Sequence, residues 1–207
     1  MISFSSYNNM LLIQLTKIKL LIVTIFLLGC THLQTQPTHI SWQERQIKLL
    51  HQNNWIIQGS LSVTWQQKRD IANFVWHQQQ NNYTINISDP IGLNTVRIIG
   101  TTDKVYICQS GKKCLSAPTA KQLLLAQLSW DLPVSPLRYW ILALPAPTKI
   151  DTAYFDNYGR LSMLVQQDWK IKYTDFHTAK NIEMPTLIEL QNKEFLCKLK
   201  IRSWKFF

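Results

Sequence analysis

Ten short stretches of this chain alternate apolar and polar residues with a period of two, and that alternation limits the folds open to it. In residues 59–65, Leu61, Val63 and Trp65 fall on one face of an extended segment and Ser60, Ser62 and Thr64 on the other. The pattern recurs over 71–76, 83–88, 95–99 and 104–108, broken by Asn81-Asn82, Asp89-Pro90, Gly92, Gly100 and Asp103. After a helical middle it resumes over 152–155, 161–166, 169–173, 186–190 and 195–204, with a turn at Asp156-Asn157-Tyr158-Gly159. Short strands at such regular spacing make an antiparallel meander.

Three segments have helical spacing instead. Residues 42–50 follow Ser41 as N-cap, with Glu44 three residues on. Residues 119–128 place Leu123, Leu124 and Leu128 on one side. Residues 136–144 repeat Leu137, Trp140, Ile141 and Leu144, with Ser135 expected to cap, Pro136 at the first helical position, and Pro145 and Pro147 as the stop. Three helices of about ten residues cannot cover a flat sheet this wide. The sheet must therefore curl into a partial or complete barrel with helices plugging its interior. A body of this kind holds an apolar ligand or is filled by its own side chains, and the pattern leaves both open. Length, 207 residues, and uniform composition predict one domain over 39–207.

The chain opens with an address. Lys17 and Lys19 precede the apolar run Leu-Leu-Ile-Val-Thr-Ile-Phe-Leu-Leu-Gly at 20–29, the length of a secretory h-region and too short to span a bilayer. Gly29-Cys30 at its end resembles the bacterial lipobox. On that resemblance residues 1–29 are a signal peptide, with Met10 as an alternative start, and Cys30 becomes the acylated N-terminus. Residues 30–38 then form a polar tether, and Thr31, where inner-membrane lipoproteins carry Asp, places the anchor in the outer membrane facing the periplasm. In that oxidising compartment a bridge can form between Cys108 and Cys114 across a hairpin tip, leaving Cys197 in an apolar strand.

Motifs of chemistry are missing. There is no GxSxG, HExxH, P-loop or GxGxxG, no zinc spacing among the cysteines, and the five histidines are scattered. Hence no enzyme, metal or cofactor is expected. The formal charge of +10 favours anionic partners. Lys170 and Lys172 alternate with Trp169, Ile171 and Tyr173 as on a nucleic-acid stacking platform, but export argues against nucleic acid and for a solvated strand face.

Several pieces in order resemble the LolB family of outer-membrane lipoproteins. They are Trp42; Gly59 with its strand; Phe74-Val75-Trp76; Ser88-Asp89-Pro90-Ile91-Gly92; Leu132-Pro133-Val134; and the run from Leu137 to Pro145. Asp156 to Leu161, Gln167 to Tyr173, Met184-Pro185 and Ser203-Trp204 complete the series. The resemblance implies a mainly β (α+β) fold, an incomplete barrel of about ten or eleven strands with three short helices over an apolar cavity. It implies a monomeric receptor that accepts acylated lipoproteins from the periplasmic carrier LolA and inserts them into outer-membrane phospholipid, without nucleotide. Inward positions that would line the cavity are Leu61, Val63, Phe74, Trp76, Ile85 and Ile87, then Trp140, Ile141, Leu144, Leu161, Met163 and Trp169. Pro90, Ile91 and Gly92 match the loop whose Leu projects into solvent in the family and delivers cargo to the membrane. Ala143-Leu144-Pro145 stands where the family usually has Gly-Leu-Pro. The positive charge would suit a mouth facing an acidic carrier and an anionic lipid surface. Two other readings stand beside this one: a filled structural subunit of an envelope assembly, and a tethered hydrolase built around His77 or His177.

Overall fold

A computed structural model describes residues 40–207. The leader, Cys30 and the tether lie outside the described residues. In chain order the elements are α1 (Trp42–Leu50), β1 (Asn54–Trp65), β2 (Lys68–Gln79), β3 (Asn82–Ser88), β4 (Thr95–Gly100), β5 (Val105–Gln109) and β6 (Leu115–Ala117). They continue as α2 (Ala120–Leu128), α3 (Val134–Trp140), β7 (Thr152–Phe155), β8 (Leu161–Gln166), β9 (Trp169–Ala179), β10 (Ile182–Gln191) and β11 (Phe195–Phe206).

All eleven strands join one antiparallel sheet in the order β6-β5-β4-β3-β2-β1-β11-β10-β9-β8-β7. The first strand pairs with the last, Leu61 opposite Leu199 and Val63 opposite Cys197. The edges β6 and β7 do not pair, so the barrel stays open, and the chain between them carries α2 and α3. At Gln58/Gly59 the β1–β11 register shifts, and a Cβ on Gly59 would collide with the Lys200 carbonyl oxygen.

Strand faces follow the alternation read from the sequence. Inward side chains such as Leu61, Phe74, Ile85, Ile98, Ile171, Ile188 and Leu199 are buried in one core, while Lys170, Lys172, Lys198, Lys200 and Arg202 are exposed. β8 departs from the pattern. Leu161 pairs with Phe155 and Met163 with Tyr154, so Ser162 is an extra residue beside a bulge. The phase therefore slips, and Leu164 and Gln166 point inward while half-buried Met163 stays outside the core cluster. Met163 is not a cavity residue.

α3 starts earlier than its sequence signals predict. Its N-cap is Pro133, without a side-chain cap bond, so Ser135 and Pro136 occupy the second and third helical positions. A proline is tolerated there because the first four helical N–H groups lack intrahelical partners anyway. The helix ends at Trp140, and Ala143, at φ 54°, turns the chain out of helical geometry before Pro145. β6 carried no alternation signal, being three residues long and largely exposed.

Candidate functional site

Between the concave face and the segment 124–141 lies an apolar cavity. Six of the expected residues wall it: Leu61, Phe74, Trp76, Ile85, Ile87 and Ile141. The sheet adds Ile98 and Leu199, and the helical segment adds Leu124, Trp130, Leu132, Val134 and Leu137. Leu124 and Leu137 belong to the apolar helix faces read from the sequence but were not among the expected cavity residues, and Trp130, Leu132 and Val134 lie in 130–134, which has no period to reveal a face. Val63, Trp140, Leu144, Leu161 and Trp169 are buried but fill the core instead. Trp140 packs on Trp169 with ring centroids 6.2 Å apart, and Trp169 meets Phe195 edge-on at 5.8 Å.

The wall is hydrocarbon and indole throughout, so it has nothing to offer a polar substrate. Its free space is only about 30 Å³, room for two waters at most. The cavity as it stands is too small to hold an acyl chain.

Two polar anchors on opposite flanks hold the helical cover, beside a longer contact from Arg138 Nη1 on α3 to Asn81 Oδ1 at 3.3 Å, and the two differ in strength. Buried Gln166 accepts from Trp140 Nε1 and Ala146 N, both at 2.9 Å. Its Nε2 donates to Ala146 O at 2.9 Å and to Thr148 O and Oγ1 at 3.0 Å. On the other flank, Trp130 Nε1 donates to Asp70 Oδ2 on β2 at 3.2 Å, and Asp70 is exposed. Arg45, buried on α1, ties that helix to β10 through Glu183 O at 3.0 Å and Glu183 Oε2 at 3.2 Å. Burial lowers the Arg45 pKa, and the Glu183 carboxylate opposes that shift. Arg160 bonds both Asp156 and Glu183, completing the cluster. Burial also pushes the Cys197 thiol and the Tyr83 hydroxyl up to about 12, keeping both uncharged.

Ile87, the last inward residue of β3, leads into the loop 89–94. Asp89 Oδ1 accepts from Leu93 N at 2.9 Å, and Oδ2 accepts from Asn94 N at 3.1 Å and Asn94 Nδ2 at 2.8 Å. Gly92 takes φ 78°, a conformation suited to a residue without Cβ. The turn is built from polar contacts alone, yet it holds Ile91 77% exposed and Leu93 75% exposed. Leu93 was not singled out from sequence, although two large apolar residues in a polar turn were the available signal.

The pair Cys108–Cys114 is disulfide-bonded with Cα atoms 4.2 Å apart, and Cys197 is buried and free. His77 and His177 sit exposed on β2 and β9, and neither hydrogen-bonds a Ser or Asp side chain among the described residues.

Comparison with known proteins fits this geometry. The family model of the outer membrane lipoprotein LolB matches residues 53–204. The outer-membrane lipoprotein LolB of Coxiella burnetii is 32% identical over 183 residues, covering 86% of this chain and 87% of the relative. That of Nitrosococcus oceani is 32% identical over 191 residues, covering 90% and 95%. A crystal structure of a LolA superfamily protein from Nitrosomonas europaea superposes with a TM-score of 0.55 at 10% identity, covering 81% of this chain and 94% of that one. An open, helix-covered barrel over an all-apolar cavity, matched across this much of its length, makes the chain a member of the LolB family.

Proposed function

We propose that the protein is an outer-membrane lipoprotein receptor that takes the acyl chains of other lipoproteins into its cavity and passes them to the membrane. The single observation that carries this reading is a continuous cavity wall without a polar side chain, beneath a cover held on one flank by one hydrogen bond to an exposed carboxylate. The energetics are compatible with uptake. A sixteen-carbon chain gains roughly 12 kcal/mol on leaving water, at about 0.8 kcal/mol per methylene. Lifting Leu124, Trp130, Leu132 and Val134 from the wall costs about 1.5–3 kcal/mol each. The sum, about 6–12 kcal/mol, offsets at least half of the gain, as suits a protein that must accept cargo and then release it without nucleotide.

The finer assignments belong to the same reading. Periplasmic LolA is the donor, Cys30 carries the anchoring lipid, and residues 39–207 form the receptor domain. Pro90, Ile91 and Gly92 form the loop that meets the bilayer, where one side chain contributes about 1.5–3 kcal/mol, enough to orient the protein and too little to hold it. The decisive experiment is binding of a fluorescent fatty acid competed by acylated lipoprotein. Competition by acylated but not by unacylated lipoprotein is expected; absence of probe binding favours the filled structural subunit.

A further inference from the structure

The sheet register places three turns side by side at one end of the barrel. β2 runs five residues past Asn73, which pairs with Ser88 at the end of β3, so the β1–β2 tip lies at the same end as the loop 89–94. Ser110 N donates to Thr95 O at 3.2 Å, tying the β5–β6 tip to the first residue after that loop. In strand order the Ile91 loop is therefore flanked on both sides. Each flanking tip carries two adjacent exposed cations, Lys68-Arg69 on one and Lys112-Lys113 on the other. None of the four joins an ion pair among the described residues. The Cys108–Cys114 disulfide closes the second tip and fixes where its lysines project. Of the acids at this end, Asp70 is engaged by Trp130 Nε1, Asp89 by Leu93 and Asn94, and Asp131 by Lys121, while exposed Glu194 lies on the far side of β1, in the turn before Phe195, the partner of Trp65. Trp130, which walls the cavity, bonds Asp70 two residues from Lys68, so the contact that holds the linker to the sheet lies near this end.

We propose that Lys68, Arg69, Lys112 and Lys113 form a cationic rim that binds anionic phospholipid headgroups and seats Ile91 and Leu93 in the bilayer. This rests on the membrane-contact reading of the loop and adds the lipid class that the surface selects. Apolar tips between paired cations match a membrane surface, where hydrocarbon lies just beneath a layer of phosphate. A basic residue close to an anionic leaflet strengthens attachment roughly fivefold. Four of them make lipid charge, more than either apolar tip, the main source of selectivity.

The test uses the full chain reconstituted in vesicles and labelled with an environment-sensitive fluorophore at Leu93→Cys; buried Cys197 and the disulfide-bonded pair leave position 93 as the accessible thiol among the described residues. Vesicles of phosphatidylcholine are compared with the same vesicles containing phosphatidylglycerol. The blue shift should require far less phosphatidylglycerol-containing lipid than pure phosphatidylcholine. That preference should fall at least tenfold in the combined variant Lys68→Gln, Arg69→Gln, Lys112→Gln, Lys113→Gln, and in about 1 M salt, where the Debye length is near 3 Å. Equal insertion in both vesicles, unaffected by salt, overturns the rim while leaving the loop reading intact. No insertion in either overturns both. If the combined variant keeps its lipid preference but loses cargo uptake from the carrier, the rim is a protein dock and the proposal is wrong. Unchanged circular dichroism of the variant and retention of its fatty-acid binding secure the comparison.

Discussion

Trp130→Phe should open the cavity without dismantling it. The indole donates to Asp70 Oδ2 at 3.2 Å while its ring forms part of the cavity wall. Phe keeps most of the ring contact and removes the donor. A hydrogen bond to a charged group contributes about 1.5–3 kcal/mol when shielded, but Asp70 is exposed, so about 1 kcal/mol is the working figure. If the bond exists only in the closed form, its loss raises the open population roughly fivefold, since 1.4 kcal/mol is tenfold. Stopped-flow association of a fluorescent fatty acid, limited by opening, should accelerate by that factor. The control acts from the other side: Asp70→Ala deletes the acceptor without touching the wall and should give the same acceleration. Asp70→Asn retains an acceptor and should stay close to wild type. Unchanged association in Asp70→Ala would refute the idea that this contact latches the cover.

Other perturbations test the remaining parts. Gln166→Leu strands Trp140 Nε1, Ala146 N and the Ala146 and Thr148 carbonyls, and should cost about 3–5 kcal/mol in denaturant unfolding; a loss under 1 kcal/mol would show that the segment rearranges freely. Ile91→Glu should change stability by less than about 0.5 kcal/mol, because the side chain touches no core, and should keep cargo uptake while abolishing delivery into vesicles; unfolding would mark Ile91 as a core plug. Asp89 and Asp156 both have folded pKa values below the ordinary 3.8. At Asp89 desolvation pulls upward but donation from Asn94, Leu93 and Gly92 outweighs it; at Asp156 donation and charge from Arg160, with Tyr158 N–H, do the same. Their contribution is therefore present above pH 3.8 and lost as the pH falls through the lowered folded values, and carboxylate titrations by NMR should find both below that value.

The sheet was legible because, outside β8, inward residues follow a period of two that no helix satisfies. What escaped the sequence has identifiable causes. The strands extend further than the alternation indicates at the hairpin turns Gln66-Gln67 and Lys180-Asn181, which take positive φ at both central residues without a glycine, whereas the ends at Gln167-Asp168 fall where the alternation stops. Met163 was misassigned because a bulge at Ser162 shifts the phase, and alternation cannot report an inserted residue. The cavity wall was half legible: six strand and helix positions followed from the pattern. Trp130, Leu132 and Val134 sit in an aperiodic linker whose burial depends on the sheet it crosses. Leu93 was hidden because exposure is a property of the Asp89-built turn, and the sequence shows only an apolar residue near a Pro-Ile-Gly.

The two anchors decide where the barrel opens. Gln166 holds the segment after α3 through five contacts, all among buried or half-buried groups, and breaking them would leave several polar atoms unpaired in the core. The linker between α2 and α3 is held to β2 by one bond with an exposed carboxylate, and water can replace that bond at little cost. On the proposed function the linker, with fewer polar contacts to break, is therefore the part of the cover expected to lift, and the segment after α3 the part expected to stay. The gap then forms beside the β1–β2 tip, at the end of the sheet that carries Ile91 and Leu93. An acyl chain leaving the cavity by that route emerges beside those two side chains and the cations around them. Release into the bilayer then needs no further movement of the sheet. The same polarity explains why the aromatic packing of Trp140, Trp169 and Phe195 lies on the Gln166 flank: a rigid hinge requires a filled core, and only the opposite flank can be spared for cargo.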